Sequence, residues 1–237
     1  MRRMGRLNSY LIAAAALSCL LAFGTPQAAD HGHAAPQGVS APEALKMLQA
    51  GNERFVSGQR SPNPDVDGAA REALTKGQAP FAVILTCSDS RVPPEHIFDQ
   101  GLGKLFVARV AGNVIDPALL GSIEYAVLHC GSKLVVVMGH ESCGAITATA
   151  GSLEHPGHSE SASIDELIGR LTPAVKQASG KGLKGKELVE EAAVLNARMV
   201  SEQICAQSPA IAALVKKGEV KVVPAKYFLG TGKVEFL

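Results

Sequence analysis

Three short apolar runs decide the fold of this chain: FAVILT at 81–86, LFVARV at 105–110 and LVVVM at 134–138. Each run is apolar at nearly every position, whereas a strand with one solvent-facing side alternates apolar and polar residues. The intervening segment 116–130 carries apolar residues at helical spacing and begins with an Asp-Pro pair, which is typical of a helix start. This alternation predicts an α/β fold in which an open, mainly parallel β-sheet is flanked by helices.

The segments outside this core predict further elements of the same domain. A helix start signal at Ser40, followed by apolar residues at helical spacing, predicts an N-terminal helical arm. Two more helices are predicted over about 164–178 and 186–206. The closing segment 219–237 predicts strands that turn at two glycines and form a C-terminal edge strand of the sheet.

The first 28 residues predict a secretory signal peptide. Three arginines within the first six residues precede an apolar run at 11–23, which Gly24 and Pro26 end ahead of Ala28 and Ala29. A membrane-spanning helix needs about 20 apolar residues, so the run is too short to act as a stable anchor. We therefore expect cleavage near Ala28 or Ala29 and delivery of the mature protein to the periplasm or the exterior.

The resulting organisation is a signal peptide at 1–28, a flexible leader at 29–40 and one domain at 41–237. His31 and His33 in the leader are expected to be solvated, although metal scavenging is an alternative. Removal of the signal peptide takes away three of the 23 basic residues and none of the 22 acidic ones. The mature chain therefore has no overall positive charge, and no nucleic-acid partner is expected.

Possible metal ligands follow two of the predicted strands. Cys87 comes directly after the first strand, and His140 and Cys143 follow the third. Since parallel sheets place ligands at the carboxyl ends of their strands, these side chains are expected to meet, and three protein ligands are usual for catalytic zinc. Two alternatives stay open, because Cys87 could be a small buried apolar residue or could form a disulfide with Cys143 in an oxidising compartment.

Two further cysteines of the mature chain, Cys130 and Cys205, lie in predicted helices without metal-ligand spacing. We expect buried free thiols at both positions. A disulfide between them is the alternative that export would permit.

The chain resembles the β-carbonic anhydrases over most of its mature length. Six segments carry the resemblance: GNERFV at 51–56, CSDSRVPPE at 87–95, RVAGN at 109–113, GSIEYAV at 121–127, GHESCGA at 139–145 and TGKVEFL at 231–237. The resemblance implies a four-stranded parallel core with an added edge strand. It also implies a homodimer or homotetramer in which N-terminal helices wrap the partner subunit.

For the site, the resemblance implies one Zn²⁺ per subunit, bound by Cys87, His140 and Cys143. It implies reversible hydration of carbon dioxide to bicarbonate and a proton by a zinc-bound hydroxide, with Asp89 and Arg91 as the catalytic pair. Arg91 would keep Asp89 ionised through a bidentate contact, and Asp89 would then orient the attacking oxygen. A purely structural ion pair between the two is the alternative, and Asp89 could also act as a gate.

Two other functions are compatible with these motifs. Relatives with such a site can hydrolyse carbon disulfide or carbonyl sulfide, which is the alternative enzymatic function. A non-enzymatic zinc store or redox switch is the other hypothesis, and it predicts a reducible bridge between Cys87 and Cys143. The sequence also lacks tryptophan, so a family pocket for non-catalytic bicarbonate that depends on this residue does not carry over.

Overall fold

The computed structural model describes residues 38–61, 66–157 and 161–237. The predicted signal peptide and the leader up to residue 37, with His31 and His33, lie outside the described residues. Among the helices that are described, none is both long and apolar enough to cross a membrane.

A five-stranded sheet forms the centre of the fold. In chain order its strands are β1 (Ala82–Thr86), β2 (Leu105–Arg109), β3 (Leu134–His140), β4 (Lys221–Tyr227) and β5 (Val234–Phe236). They lie in the order β2-β1-β3-β4-β5. The first four are parallel, and β5 pairs antiparallel with β4. The predicted parallel core and C-terminal edge strand are confirmed.

Eight α-helices and one 3₁₀ helix are present in the described ranges. They are α1 (Ala41–Ser57), α2 (Gly68–Leu74), α3 (Pro94–Ile97), the 3₁₀ helix (Ala111–Asn113), α4 (Pro117–Leu128), α5 (Gly144–Glu154), α6 (Ala162–Gly180), α7 (Gly185–Gln207) and α8 (Pro209–Lys216). Ser40 and Asp116 cap α1 and α4 by accepting from backbone N–H groups. The N-terminal helical arm is therefore confirmed as α1.

The observed elements depart from the prediction at several places, and helices α2, α3 and α5 are among those not predicted. Strand β3 continues to His140 instead of ending at Met138, because Gly139 and His140 still pair with Lys226 and Tyr227 on β4. Helix α8 was not predicted. Only Ser208 separates it from α7, and Ser208 caps it by accepting from the Ile211 N–H.

The central strands β1 and β3 are buried on both faces, as their continuous apolar runs predict, whereas the edge strand β2 is only partly buried. The face that packs against α1 and α3 carries, from β1 and β3, Ala82, Ile84, Leu134 and Val136. The opposite face packs against α4, α7 and α8 and carries Val83, Leu85, Val135 and Val137. This period of two explains why each run has to be apolar at successive positions.

A buried asparagine connects α1 to the C-terminal segment of the chain through hydrogen bonds. Asn52 donates from Nδ2 to the Ile97 carbonyl at 3.1 Å and to the Gly232 carbonyl at 2.8 Å. Its Oδ1 accepts from the Val234 N–H at 2.8 Å. The amide of Asn52 therefore joins α1 to the C-terminal edge strand.

We expect Asp99→Asn to destabilise the protein at neutral pH by about 1–3 kcal/mol, as for loss of a charged hydrogen-bond partner. The carboxylate accepts from Arg54 Nε at 2.6 Å and from the Ser61 N–H at 3.0 Å. Burial opposes ionisation, but the Arg54 and Ser61 hydrogen bonds together with the positive charges of Arg54 and Arg60 outweigh it and lower the pKa of Asp99. A lowered folded-state pKa gives stability above the unfolded pKa of about 4, and this stability is lost as the pH falls further.

Urea unfolding at about pH 7 and about pH 3, on either side of the unfolded pKa, tests this. The gap between wild type and Asp99→Asn should shrink at the lower pH. Asp116→Asn is the matched control, since asparagine also caps helices well. An equal gap for Asp99→Asn at both pH values would contradict the assignment.

Candidate metal centre

The ends of two adjacent strands and one helix start bring three ligand side chains together. Cys87 directly follows β1, His140 is the last residue of β3, and Cys143 is the residue before α5. Their Sγ and ring-nitrogen atoms all lie within 4.8 Å of one another, and all three residues are buried. The structure therefore places the three predicted ligands close together.

The His140 ring is oriented for a ligand on its second nitrogen. Nδ1 lies 2.8 Å from the Glu141 carbonyl oxygen; because a carbonyl only accepts, this contact assigns the proton to Nδ1. Nε2 is buried, and no hydrogen-bond partner for it is found among the described residues. A buried acceptor without a partner is rare in proteins, and an imidazole fixed through Nδ1 is typical of a metal ligand.

The two cysteines favour deprotonation of one sulfur even without a cation. A hydrogen bond from Cys143, together with contacts from His140 and the Gly112 N–H, lowers the pKa of Cys87 to about 4 against the effect of burial. The same contact with Cys87 raises the pKa of Cys143, and burial adds to the shift. A nearby dication would favour both thiolates, and two sulfurs with one imidazole are a donor set that suits Zn²⁺.

The 3₁₀ helix after β2 closes one side of the centre through a glycine. The Gly112 N–H donates to Cys87 Sγ at 3.3 Å, and Gly112 has a left-handed φ of 70°. A Cβ at this position would lie 2.8 Å from Leu171 Cδ1. The left-handed conformation therefore favours glycine here, and a Cβ would also displace the Leu171 side chain.

Asp89 and Arg91 form the predicted bidentate pair beside the ligands. Arg91 Nε lies 2.8 Å from Asp89 Oδ1, and Arg91 Nη2 lies 2.6 Å from Oδ2. The Arg91 N–H also donates to Oδ1 at 2.9 Å. The Arg91 guanidinium thereby holds the pKa of Asp89 well below its usual range, so this carboxyl is ionised. Asp89 Oδ2 lies 4.0 Å from His140 Nε2.

The Cys87–Asp89 turn is also held by Arg109, to which the sequence prediction gave no role. Arg109 is the last residue of β2 and is opposite Thr86 in the sheet. Its Nε donates to the Cys87 carbonyl at 3.0 Å, and its Nη2 donates to the Asp89 carbonyl at 2.6 Å. The sequence feature that could have indicated this role is the position of Arg109 at the carboxyl end of β2, the strand next to β1.

We expect Arg109→Met to weaken Zn²⁺ binding about tenfold, because partners that orient metal ligands typically contribute 10–100-fold to metal affinity. Methionine retains much of the side-chain volume but donates to neither carbonyl. Competition with a chromogenic chelator measures the affinity. Arg71→Met is the control, since Arg71 on α2 donates to the Val66 carbonyl, outside the metal centre. Equal affinities for wild type and Arg109→Met would contradict the role.

The other two described cysteines take no part in this cluster. Cys130 is buried and Cys205 is partly exposed, and all four cysteines of the described ranges are free thiols. Burial raises the pKa of both Cys130 and Cys205. The expected free thiols are therefore present, although Cys205 is less buried than expected.

Comparisons with known proteins agree on one family. Residues 82–234 match the sequence profile of a family described as carbonic anhydrase. A carbonic anhydrase of Mycolicibacterium smegmatis is 42% identical over 192 residues, which span 81% of this chain and 91% of that protein. Carbonic anhydrase 2 of Mycobacterium tuberculosis is 41% identical over 194 residues, spanning 80% of this chain and 89% of that protein.

A solved structure gives the same result for the fold. The β-carbonic anhydrase CafA of Aspergillus fumigatus superposes with a TM-score of 0.63 at 26% sequence identity. The match covers 81% of this chain and 90% of the CafA chain. The parallel sheet and its flanking helices are thus the β-carbonic anhydrase arrangement.

Proposed function

This chain belongs to the carbonic anhydrase family, and we propose that it catalyses the reversible hydration of carbon dioxide to bicarbonate and a proton. In this proposal Cys87, His140 and Cys143 hold one Zn²⁺ per subunit, and Asp89 and Arg91 act beside it. The observation that carries the proposal is the convergence of three buried ligand atoms within 4.8 Å of one another.

The residues of the site have separate roles in binding zinc and in orienting a water molecule. Zn²⁺ in such a site supplies Lewis acidity and lowers the pKa of water. Asp89, ionised through its contacts with Arg91, is an acceptor only. Its Oδ2 can accept a hydrogen bond from a water molecule near His140 Nε2 and so direct an oxygen lone pair at carbon dioxide. Arg91 holds the carboxylate in place through both oxygens.

Stopped-flow hydration of carbon dioxide by the zinc-loaded protein tests the activity. Two thiolate ligands make the metal a weaker Lewis acid than three imidazoles do, so the assay should extend to about pH 8.5. We expect activity that a chelator removes and added Zn²⁺ restores. No chelator-sensitive hydration over this range would contradict the proposal. The alternative, hydrolysis of carbon disulfide or carbonyl sulfide, is not favoured, since the similar curated proteins are named carbonic anhydrases.

Export of the protein is part of the proposal. The support is the arginine-rich start, the apolar run at 11–23 and the small residues at 28 and 29. Cell fractionation and N-terminal sequencing of the mature protein test it. A cytoplasmic protein with an intact N-terminus would contradict export.

A homodimer or homotetramer is also proposed. Among the described strands, β2 and β5 are the two edges of the sheet, and exposed strand edges favour pairing with another chain. Large apolar side chains are exposed near both edges. Val56 on α1 lines one pocket with Val234 and Phe236 of β5, and the Tyr125 ring on α4 lies 6.4 Å from the Phe106 ring on β2. Sedimentation velocity of the zinc-loaded protein would show a monomer if this proposal is wrong.

A further inference from the structure

The turn between two of the proposed ligands has a strained backbone. Ser142 lies between His140 and Cys143 and has a φ of 51°. This left-handed conformation is unfavourable for a residue that carries a Cβ. Since His140 and Cys143 both depend on the path of this turn, contacts that hold Ser142 also determine where the two ligand atoms lie.

The peptide groups of Ser142 are held from two sides. The Ser142 N–H donates to Glu190 Oε1 at 2.9 Å, and Glu190 is on α7. The Ser142 carbonyl accepts from Arg91 Nη2 at 3.3 Å. Glu190 therefore contacts the ligand turn directly, and through Ser142 it also supports the arginine that binds Asp89.

Glu190 is itself oriented by a lysine from the sheet. Lys226 on β4 is opposite Gly139 in the strand register, and its Nζ lies 2.6 Å from Glu190 Oε2. The two side chains are only 10% and 18% exposed. A largely buried carboxylate and ammonium each need their partner, so the pair fixes Oε2 and directs Oε1 to the Ser142 N–H.

We propose that Glu190 is a positioning residue for the metal centre, with Lys226 holding it in the required orientation. The inference rests on the metal site of the proposed function and assigns it a support outside the ligands and the Asp89–Arg91 pair. Glu191 offers a natural comparison because it is adjacent on α7 but pairs with the exposed Lys181, away from the turn.

The test compares Glu190→Ala, Glu190→Gln, Lys226→Met and the control Glu191→Ala. Zn²⁺ affinity is measured by chelator competition, and the visible spectrum of the Co²⁺-substituted protein reports ligand geometry. We expect Glu190→Ala to lose 10–100-fold in affinity and to alter the Co²⁺ bands. Glu190→Gln should retain part of the affinity, because its amide oxygen still accepts from Ser142. Lys226→Met should fall between wild type and Glu190→Ala, and Glu191→Ala should match wild type.

The outcomes separate this inference from the proposed function. If wild type binds Zn²⁺, and Glu190→Ala and Glu190→Gln both keep its affinity and Co²⁺ spectrum, the inference is wrong even if thermal stability falls. If Glu190→Ala does not fold, Glu190→Gln decides by the same two measurements. If wild type binds no Zn²⁺, the proposed function fails first, and the inference fails with it.

Discussion

Cys143→Ser is expected to lower Zn²⁺ affinity by more than about a hundredfold and to reduce carbon dioxide hydration to near the uncatalysed rate. The lower bound on the loss of affinity follows from a comparison. Loss of a residue that only orients a metal ligand typically lowers metal affinity 10–100-fold, and the ligand itself contributes more than such a residue. A serine hydroxyl is not deprotonated at neutral pH and replaces a thiolate poorly. Cys143 is 1% exposed and lies in the cluster with Cys87 and His140, so no other described side chain of that cluster is left to take its place.

Metal analysis after gel filtration and stopped-flow assays measure the two effects. Cys205→Ser is the control, because Cys205 is a free thiol on α7 outside the metal cluster, and it should keep wild-type zinc content and activity. Thiol titration adds an independent observation: Cys87 and Cys143 should be protected until a chelator is added. Full zinc content and activity in Cys143→Ser would overturn the ligand assignment.

Asp89→Asn is expected to reduce the rate of hydration by about 10²–10⁴-fold, the range typical of lost proton-handling groups, while zinc content stays at the wild-type level. Asparagine has almost the same shape, but its amide NH₂ replaces one acceptor with a donor that faces the Arg91 guanidinium. Because Arg91 holds the pKa of Asp89 well below its usual range, wild type keeps the ionised form at and somewhat below the ordinary carboxyl pKa of about 4.

The same stopped-flow assay, with zinc content measured for each sample, tests this prediction. Asp67→Asn is the matched control, since Asp67 caps α2 in an exposed position and asparagine is an equally good cap. Activity of Asp89→Asn within a few-fold of wild type at full zinc content would show that the Asp89–Arg91 contact is only a structural ion pair.

The parts of the fold that sequence predicted are those determined by local patterns. The runs at 81–86, 105–110 and 134–138 lack alternation, and strands are found in all three. Two of these strands, β1 and β3, are fully buried as predicted, whereas β2 lies at the sheet edge and is partly exposed. The ligand set followed from the same pattern, since residues after parallel strands meet at one edge. The pairing of Asp89 with Arg91 was predicted from the resemblance to the β-carbonic anhydrases, and only one residue separates the two.

The contacts that were missed join residues distant in sequence. Arg109 binds the Cys87 carbonyl across 22 positions, and Glu190 binds the Ser142 N–H across 48. On α7, Glu190 and Glu191 are consecutive glutamates, and only the rotation of the helix against β4 decides which one contacts the ligand turn. The extension of β3 to His140 likewise depends on pairing with a strand about 90 residues later in the chain.

The Asn52 contacts have a consequence for the order of events during biosynthesis. This residue in the first helix of the domain bonds to Gly232 and Val234, separations of 180 and 182 positions. Contacts of such long range form late in folding, because the chain between them must first be ordered. Because synthesis starts at the N-terminus, α1 is made well before the segment that contains Gly232 and Val234, so its docking site is completed only once that segment has followed.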